Sequence, residues 1–195
     1  MRMNTGQVLS AASWINNTSV EEMTRVFREY GEERYAKRIA TAIERARQLS
    51  PITRTLQLAN VVIEANPAWE KHKHPATRVF QAIRIAVNDE LDELQRVLDD
   101  VVELLAPGGR LVVIAFHSLE DRIVKQFLRS QSRGIDLPRS VPVRGEMPGK
   151  TMCLVGRAHK ASEKEITDNP RARSAVMRVG AKIATSVLME NGVQR

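Results

Sequence analysis

Within six residues, His117-Ser118-Leu119-Glu120-Asp121-Arg122 offers an imidazole, a hydroxyl, two carboxylates and a guanidinium. Such a set suits contact with a polyanion: Arg122 to a phosphate, His117 or Ser118 to the edge of a base. Ser118 also reads as a helix N-cap, with Glu120 and Asp121 complementing the helix dipole. Serine hydrolase chemistry is excluded, because adjacent Ser and His side chains diverge and no nucleophile-elbow glycine pattern surrounds Ser118. A second set, Asn169-Pro170-Arg171-Ala172-Arg173-Ser174, puts two arginines one residue apart at the mouth of a strand. That spacing suits phosphate contact, and it equally suits a solvated surface turn. His72, His74 and Arg78 share a third segment. His-x-His alone is a weak metal signal, so no metal is expected there, and Arg78 stands as a further candidate for the polyanion.

The elements that must position these groups follow from apolar spacing. Pro107-Gly108-Gly109 stops a helical pattern, since Pro cannot continue it and Gly tolerates positive φ. Leu111–Phe116 is then a continuous, β-branched apolar run, the pattern of a strand covered on both faces in a parallel sheet. The His117 loop falls just past its carboxyl end, where open α/β sheets place ligands. Asp121 to about Ser130 reads as a helix with Ile123, Val124, Phe127 and Leu128 inward. Residues 131–150, rich in Gly and Pro, read as a loop. Thr151–Arg157 and Ser174–Val179 read as two late strands forming an antiparallel edge, with polar residues 160–169 between them. The tail from Ala181 is expected to fray.

Upstream, the chain reads as short helices. Ser10–Asn16 is one; Ser19 caps a second that ends near Tyr30-Gly31. Glu32 to about Leu49 is a third, with Tyr35, Ile39, Ala42, Ile43 and Ala46 on one face and Arg34, Lys37, Arg38, Arg45 and Arg47 on the other. Ser50-Pro51 breaks it, and a fourth runs from Leu56 to about Ala65, so residues 10–67 form a small helical module. From Ala76 a long amphipathic pattern (Phe80, Ile83, Val87, Leu91, Leu94, Leu98, Val101, Leu105) is one bent helix or two, the second restarting at Asn88-Asp89-Glu90 with Asn88 as its N-cap.

The 195 residues are 43% hydrophobic and 27% charged, enough for a packed core and against wholesale disorder. No apolar run reaches the roughly 18–20 residues of a membrane span, and the first residues lack the apolar segment of a signal peptide. Cys153 is the only cysteine and reads as a small buried hydrophobe beside Met152 and Leu154. A cytoplasmic protein fits these features. The net charge of +7 is uneven: residues 122–195 hold 15 Lys and Arg against 6 Asp and Glu. That imbalance is an electrostatic footprint for nucleic acid. No glycine-rich strand-to-helix turn, P-loop or acidic residue ending an early strand is present, so the residues offer no recognisable nucleotide or adenosyl pocket.

The segments MRMN, YGEERYAKRIA, ITRT, HPATRVFQAIRIAVNDEL, LAPGGRLVVIAFHSLEDRIVK and NPRARS closely resemble the bacterial 16S rRNA (cytosine-N4)-methyltransferases, nearly end to end from Met1 to about Ile183. The resemblance implies an α/β fold: part of a Rossmann-like methyltransferase sheet interrupted by a helical substrate-recognition insertion. Residues 1–9 would end an N-terminal methyltransferase segment, 10–73 form the insertion, 74–183 continue the catalytic domain, and 184–195 make a tail. Leu111–Phe116, Thr151–Arg157 and Ser174–Val179 would be the family's fifth, sixth and seventh strands, the seventh antiparallel between its neighbours. The implied reaction is S-adenosyl-L-methionine-dependent methylation of a cytosine N4 in the decoding region of 16S rRNA, the small ribosomal subunit being the partner. MRMN resembles a stretch just beyond the family's donor-site segment, with Asn4 where Asp is usual, so the donor-binding portion would lie before Met1. No cofactor-binding or catalytic residue is assigned in this chain. Arg78, His117, Ser118, Arg122, Asn169, Arg171 and Arg173 are the RNA-contact candidates. The alternative is a non-catalytic RNA- or ribosome-binding module. In either case an uncovered half-sheet would favour self-association, as in a homodimer.

Overall fold

A computed structural model of the chain describes residues 1–4, 6–68, 74–135 and 148–183, which fall into two compact units, Met1–Leu91 and Asp92–Arg195. His72, most of the loop expected at 131–150 and the tail from residue 184 lie outside the described residues.

The first unit is helical. Helix α1 (Ala11–Asn17) is capped by Ser10, whose hydroxyl accepts the Ser13 N–H, and α2 (Val20–Glu29) by Ser19 in the same way toward Glu22. Each cap satisfies an N–H that has no partner within its helix. Helix α3 (Ala36–Leu49) begins four residues later than the apolar spacing predicts. Glu32 takes φ 51°, Glu33 N–H reaches back to Phe27 O, and buried Glu33 accepts the Tyr35 N–H. Gly31 is obligatory here, because a Cβ would stand 2.7 Å from the carbonyl oxygens of both Arg78 and Phe27. Helices α4 (Thr55–Ala65) and α5 (Thr77–Asn88) complete the unit.

Its core is fully buried at Phe27, Ile39, Ile43, Val62 and Ile83, with the Trp14 and Phe27 rings tilted 58° at 6.2 Å. Residues from 74 onward were expected in the other domain, yet α5 adds Val79, Ala82, Ile83 and Val87 to this helical core. Arg47, expected on the basic face of α3, instead donates to Ile15 O and Thr18 O and pairs with Glu44. It satisfies carbonyls at the end of α1, a structural duty.

The long amphipathic pattern is two helices. Asp89 adopts the left-handed conformation, φ 56° and ψ 33°, and α6 (Glu90–Leu104) starts after it. Asn88 is the last residue of α5 and not the cap of α6; its side chain accepts from Met3 N–H and donates to Arg84 O.

In the second unit α6 and α7 (Ser118–Arg133) pack on a small sheet of β1 (Arg110–Ala115), β2 (Met152–Leu154), β3 (His159–Lys160) and β4 (Val176–Lys182). The order is β1-β4-β2, with β3 also on β4 and every pairing antiparallel. Two expectations from the residues are therefore corrected. The last strand is central among the described strands and not an added edge, the order that the resemblance implied. And β1 is covered on one face only: Leu111, Val113 and Ala115 turn inward, whereas Val112 and Ile114 are 53% and 55% exposed. An unbroken apolar run cannot by itself report which side is covered.

Smaller differences follow, and short strands are set by pairing and not by composition. Strand β2 is three residues long and ends before Gly156, at φ 72°. The segment after β3, read from the residues only as polar, holds a capped helix α8 (Glu163–Asp168). Cys153 is exposed and not buried, because it faces away from the helices. Gly180 of β4 lies under α7, where a Cβ would stand 2.6 Å from Leu128 Cδ2 and 3.0 Å from Met152 Cε.

Candidate nucleic-acid interface

The register of the sheet brings the sequence candidates of the second unit to one place. Ala115, the last residue of β1, pairs with Val176, the first of β4. The loop leaving β1 and the turn entering β4 therefore share one end of the sheet. Strand β3 joins them there, with Lys160 opposite Val176 and His159 opposite Met177. His117, Ser118, Arg122, Asn169, Arg171 and Arg173 gather at this end with Lys160. Arg78 lies in the helical unit, where its guanidinium donates to Glu32 O at 3.2 Å.

The cap of α7 differs from the one expected at Ser118. His117 is the N-cap: its Nδ1 accepts the Glu120 N–H at 3.4 Å, while Glu120 Oε2 accepts from Phe116 N–H at 2.9 Å and His117 N–H at 3.4 Å. This is a reciprocal capping box with histidine in the usual serine position. Ser118 is the first helical residue and is exposed. The His117 side chain is only 12% exposed, and its buried Nε2 lies 3.1 Å from Glu120 Oε1 without a hydrogen bond of ordinary geometry. An imidazole engaged this way holds the loop and has little freedom to read a base. Burial raises the Glu120 carboxyl, but the adjacent His117 imidazole and the bonds from the Phe116 and His117 amides outweigh it and hold the group below its ordinary value.

Asp121, expected as a dipole partner of α7, does more. Its two oxygens accept from Arg178 Nε at 2.6 Å and a terminal guanidinium nitrogen at 2.9 Å, tying α7 to β4. The Arg178 bond, more than offsetting burial, keeps the Asp121 carboxyl below its usual range, with Lys125 and Lys160 adding to the effect. Arg178 was missed in the sequence. The available signal was a lone guanidinium inside an apolar strand, which requires a partner.

The arginine turn is a 3-10 segment, Pro170–Ser174, started by Asn169 Oδ1 accepting the Arg171 N–H. Ala172 is buried and anchors the turn, so Arg171 and Arg173 on either side of it project into solvent. With Lys160, exposed at the same end, they make a set of exposed cations.

A donor nucleotide finds no comparable cradle in the strand-to-helix turn. The step from β1 to α7 has no glycine, and the N–H groups of Phe116, His117 and Glu120 are already spent on the capping box. The residues at this turn do not fit S-adenosyl-L-methionine. Among the described residues no helix is long and apolar enough to cross a membrane.

A profile described as the MraW methylase family matches residues 1–183. The chain is 56% identical over 184 residues to ribosomal RNA small subunit methyltransferase H of Legionella pneumophila strain Paris, covering 94% of this chain and 60% of that protein. The protein of the same name from Thioalkalivibrio sulfidiphilus is 56% identical over 185 residues, 94% of this chain and 59% of the relative. That from Chromohalobacter salexigens is 56% identical over 184 residues, 94% and 56% respectively. The chain thus spans somewhat under two thirds of the length of these relatives.

Proposed function

Because the chain belongs to the MraW methylase family, we propose that it serves S-adenosyl-L-methionine-dependent methylation of small-subunit rRNA, at N4 of a cytosine in the 16S decoding region. The observation that carries this reading is the set of cations gathered at one end of the sheet, Lys160, Arg171 and Arg173, beside the His117 loop. In this reading residues 10–73, together with α5 that completes their core, are a helical substrate-recognition unit, and the sheet unit from Asp92 to Ile183 is part of a Rossmann-like catalytic domain working in the cytoplasm.

N4-methylation requires the exocyclic nitrogen to be held in line with the methyl group and to lose a proton. Positioning supplies much of such an acceleration. The share assigned to this chain is positioning. Arg171, Arg173 and Lys160 hold backbone phosphates, and Ser118 and Arg122, exposed on the first turns of α7, face the same substrate. His117 and Glu120 keep that turn rigid through their mutual cap. No step through the methyl donor is assigned to these residues, because the turn has no glycine and the N–H groups of Phe116, His117 and Glu120 are already engaged in the cap.

The test is deletion of the gene in its own host, followed by mass spectrometry of 16S rRNA nucleosides. One N4-methyl group should disappear from the decoding region and return with the intact gene. An unchanged nucleoside profile would sink the reading. If the methyl group returns equally with Arg171→Ala/Arg173→Ala, the arginine turn has no part in it.

A further inference from the structure

A second basic feature lies away from the His117 loop, on the flank of the sheet. From Leu154 to His159 the edge chain takes five steps while its partner β4 takes three, from Gly180 to Met177. The extra residues bulge outward at Gly156, φ 72°, after Val155 N–H bonds Val179 O at 2.9 Å. Between this bulge and α7 is a cavity of about 330 Å³. Lys125, Arg129 and Arg133 line it from α7 and Arg157 from the bulge, while Leu128 and Leu154 supply apolar surface.

The charge balance there is unusual. On a solvated helix, cations commonly pair with acids one turn away. Arg25 of α2 does so with Glu22 and Glu29. From Lys125 to the end of α7 there are three cations and no acid. Among the described residues no carboxylate lines the cavity, and Asp121, one turn before Lys125, is already bound by Arg178. Three cations at i, i+4 and i+8 recur about every 6 Å along α7. The helix dipole favours cations near a C-terminus, but it does not account for Arg157, which reaches the cavity from another segment.

We propose that this cavity is a second RNA-contact site, binding the phosphodiester backbone of a single-stranded segment with one sugar or base against Leu128 and Leu154. Its size is at the lower end of small-molecule sites, which begin at about 300 Å³, so it takes roughly one nucleotide and not a duplex. The proposal rests on the rRNA reading above and adds a place on the protein that the reading does not require.

The test is fluorescence anisotropy of the 195-residue chain with a short labelled single-stranded RNA over a salt series. Arg129→Ala/Arg157→Ala should weaken binding about tenfold at low salt and reduce the slope of log K against log salt by about 1.4, roughly 0.7 per lost phosphate contact. Lys125→Gln/Arg133→Gln should do the same with an unchanged melting temperature. Arg28→Ala/Arg110→Ala, which removes two exposed cations elsewhere, should stay within about twofold of wild type with its slope kept. Cytidine monophosphate and inorganic phosphate should compete only at far higher concentrations than RNA. Equal losses in the pocket and control variants, or none in either pocket variant, would overturn the proposal while leaving rRNA methylation standing. Tight displacement by the mononucleotide would replace RNA with a free nucleotide as ligand. Absence of any RNA binding by the wild type would overturn the pocket, whereas the methylation reading fails separately, on an unchanged nucleoside profile.

Discussion

The helical unit and the sheet unit solve burial differently. In the helical unit five helices enclose one core, and Met23, Phe27, Ile39, Ala40, Ile43 and Val62 have no exposed surface. In the sheet unit α6 and α7 cover one face, while Val112, Ile114 and Cys153 remain open on the other. Apolar side chains left exposed forfeit roughly 25 cal/mol per Å² of burial. The first unit thus closes around its core, leaving single apolar side chains such as Leu49 and Leu56 exposed, whereas the second leaves one apolar face of β1 open. The difference is one of connectivity: helices can surround a core from several sides, but a sheet face is sealed only when something is laid upon it.

The largest effect should come from breaking the sealed side. Phe27→Ala should destabilise the helical unit by about 3–5 kcal/mol in denaturant melts, from the lost transfer energy and the cavity left behind. A cost below about 1 kcal/mol would mean that this core is far looser than its burial implies.

Next is the packed face of the sheet. Gly180→Ala drives a methyl into Leu128 and Met152 and should cost about 1–3 kcal/mol. The flexible ends of those two side chains can yield in part, which sets the lower figure. Unchanged stability would place α7 farther from β4 than the contacts indicate.

Asp121→Asn removes the charge from the tie between α7 and β4 and should cost about 1–2 kcal/mol near neutral pH, allowing for the partial exposure of both partners. The sign with pH follows from the lowered Asp121 carboxyl. Its contribution is complete above the unfolded value of about 4 and is lost as pH falls through the lower folded value. Wild-type stability should therefore drop more steeply than the variant's below about pH 4. Parallel acid limbs would show that the pair is energetically silent.

The smallest change in stability belongs to the open face. Val112→Thr/Ile114→Thr should alter melting by no more than about 0.5 kcal/mol, since these side chains are already half exposed. The same substitutions should reduce concentration-dependent self-association in sedimentation velocity. A wild-type chain that stays monodisperse at high concentration would remove the contrast between the units.

Much of the helical unit was legible in the sequence. Ser10 and Ser19 announce their helices because a hydroxyl acts on N–H groups within one turn, and Ser50-Pro51 announces an end for equally local reasons. The delayed start of α3 was not legible, since it depends on Gly31 passing between two carbonyls, one of them on α5. The site was legible as composition: the His117 loop and the arginine turn were identifiable, but their meeting was not. His117 as cap in place of Ser118 turned on ring geometry that residue type alone does not report.

By itself the sequence determined the helices α1 to α7 and the strands β1, β2 and β4 in outline, though not β3 or α8, where the cations concentrate, and the family resemblance carried by long collinear motifs. Only the tertiary structure decided which face of β1 is covered, that β4 is central among the described strands, that Asp121 finds Arg178 across 57 residues, and that a bulge opens a basic cavity beside α7. The reason is range. Caps, breakers and periodicity act between residues a turn apart and leave their mark in adjacent letters. Strand pairing and long-range ion pairs join residues that no local rule relates, so their outcome is fixed only when the chain has folded.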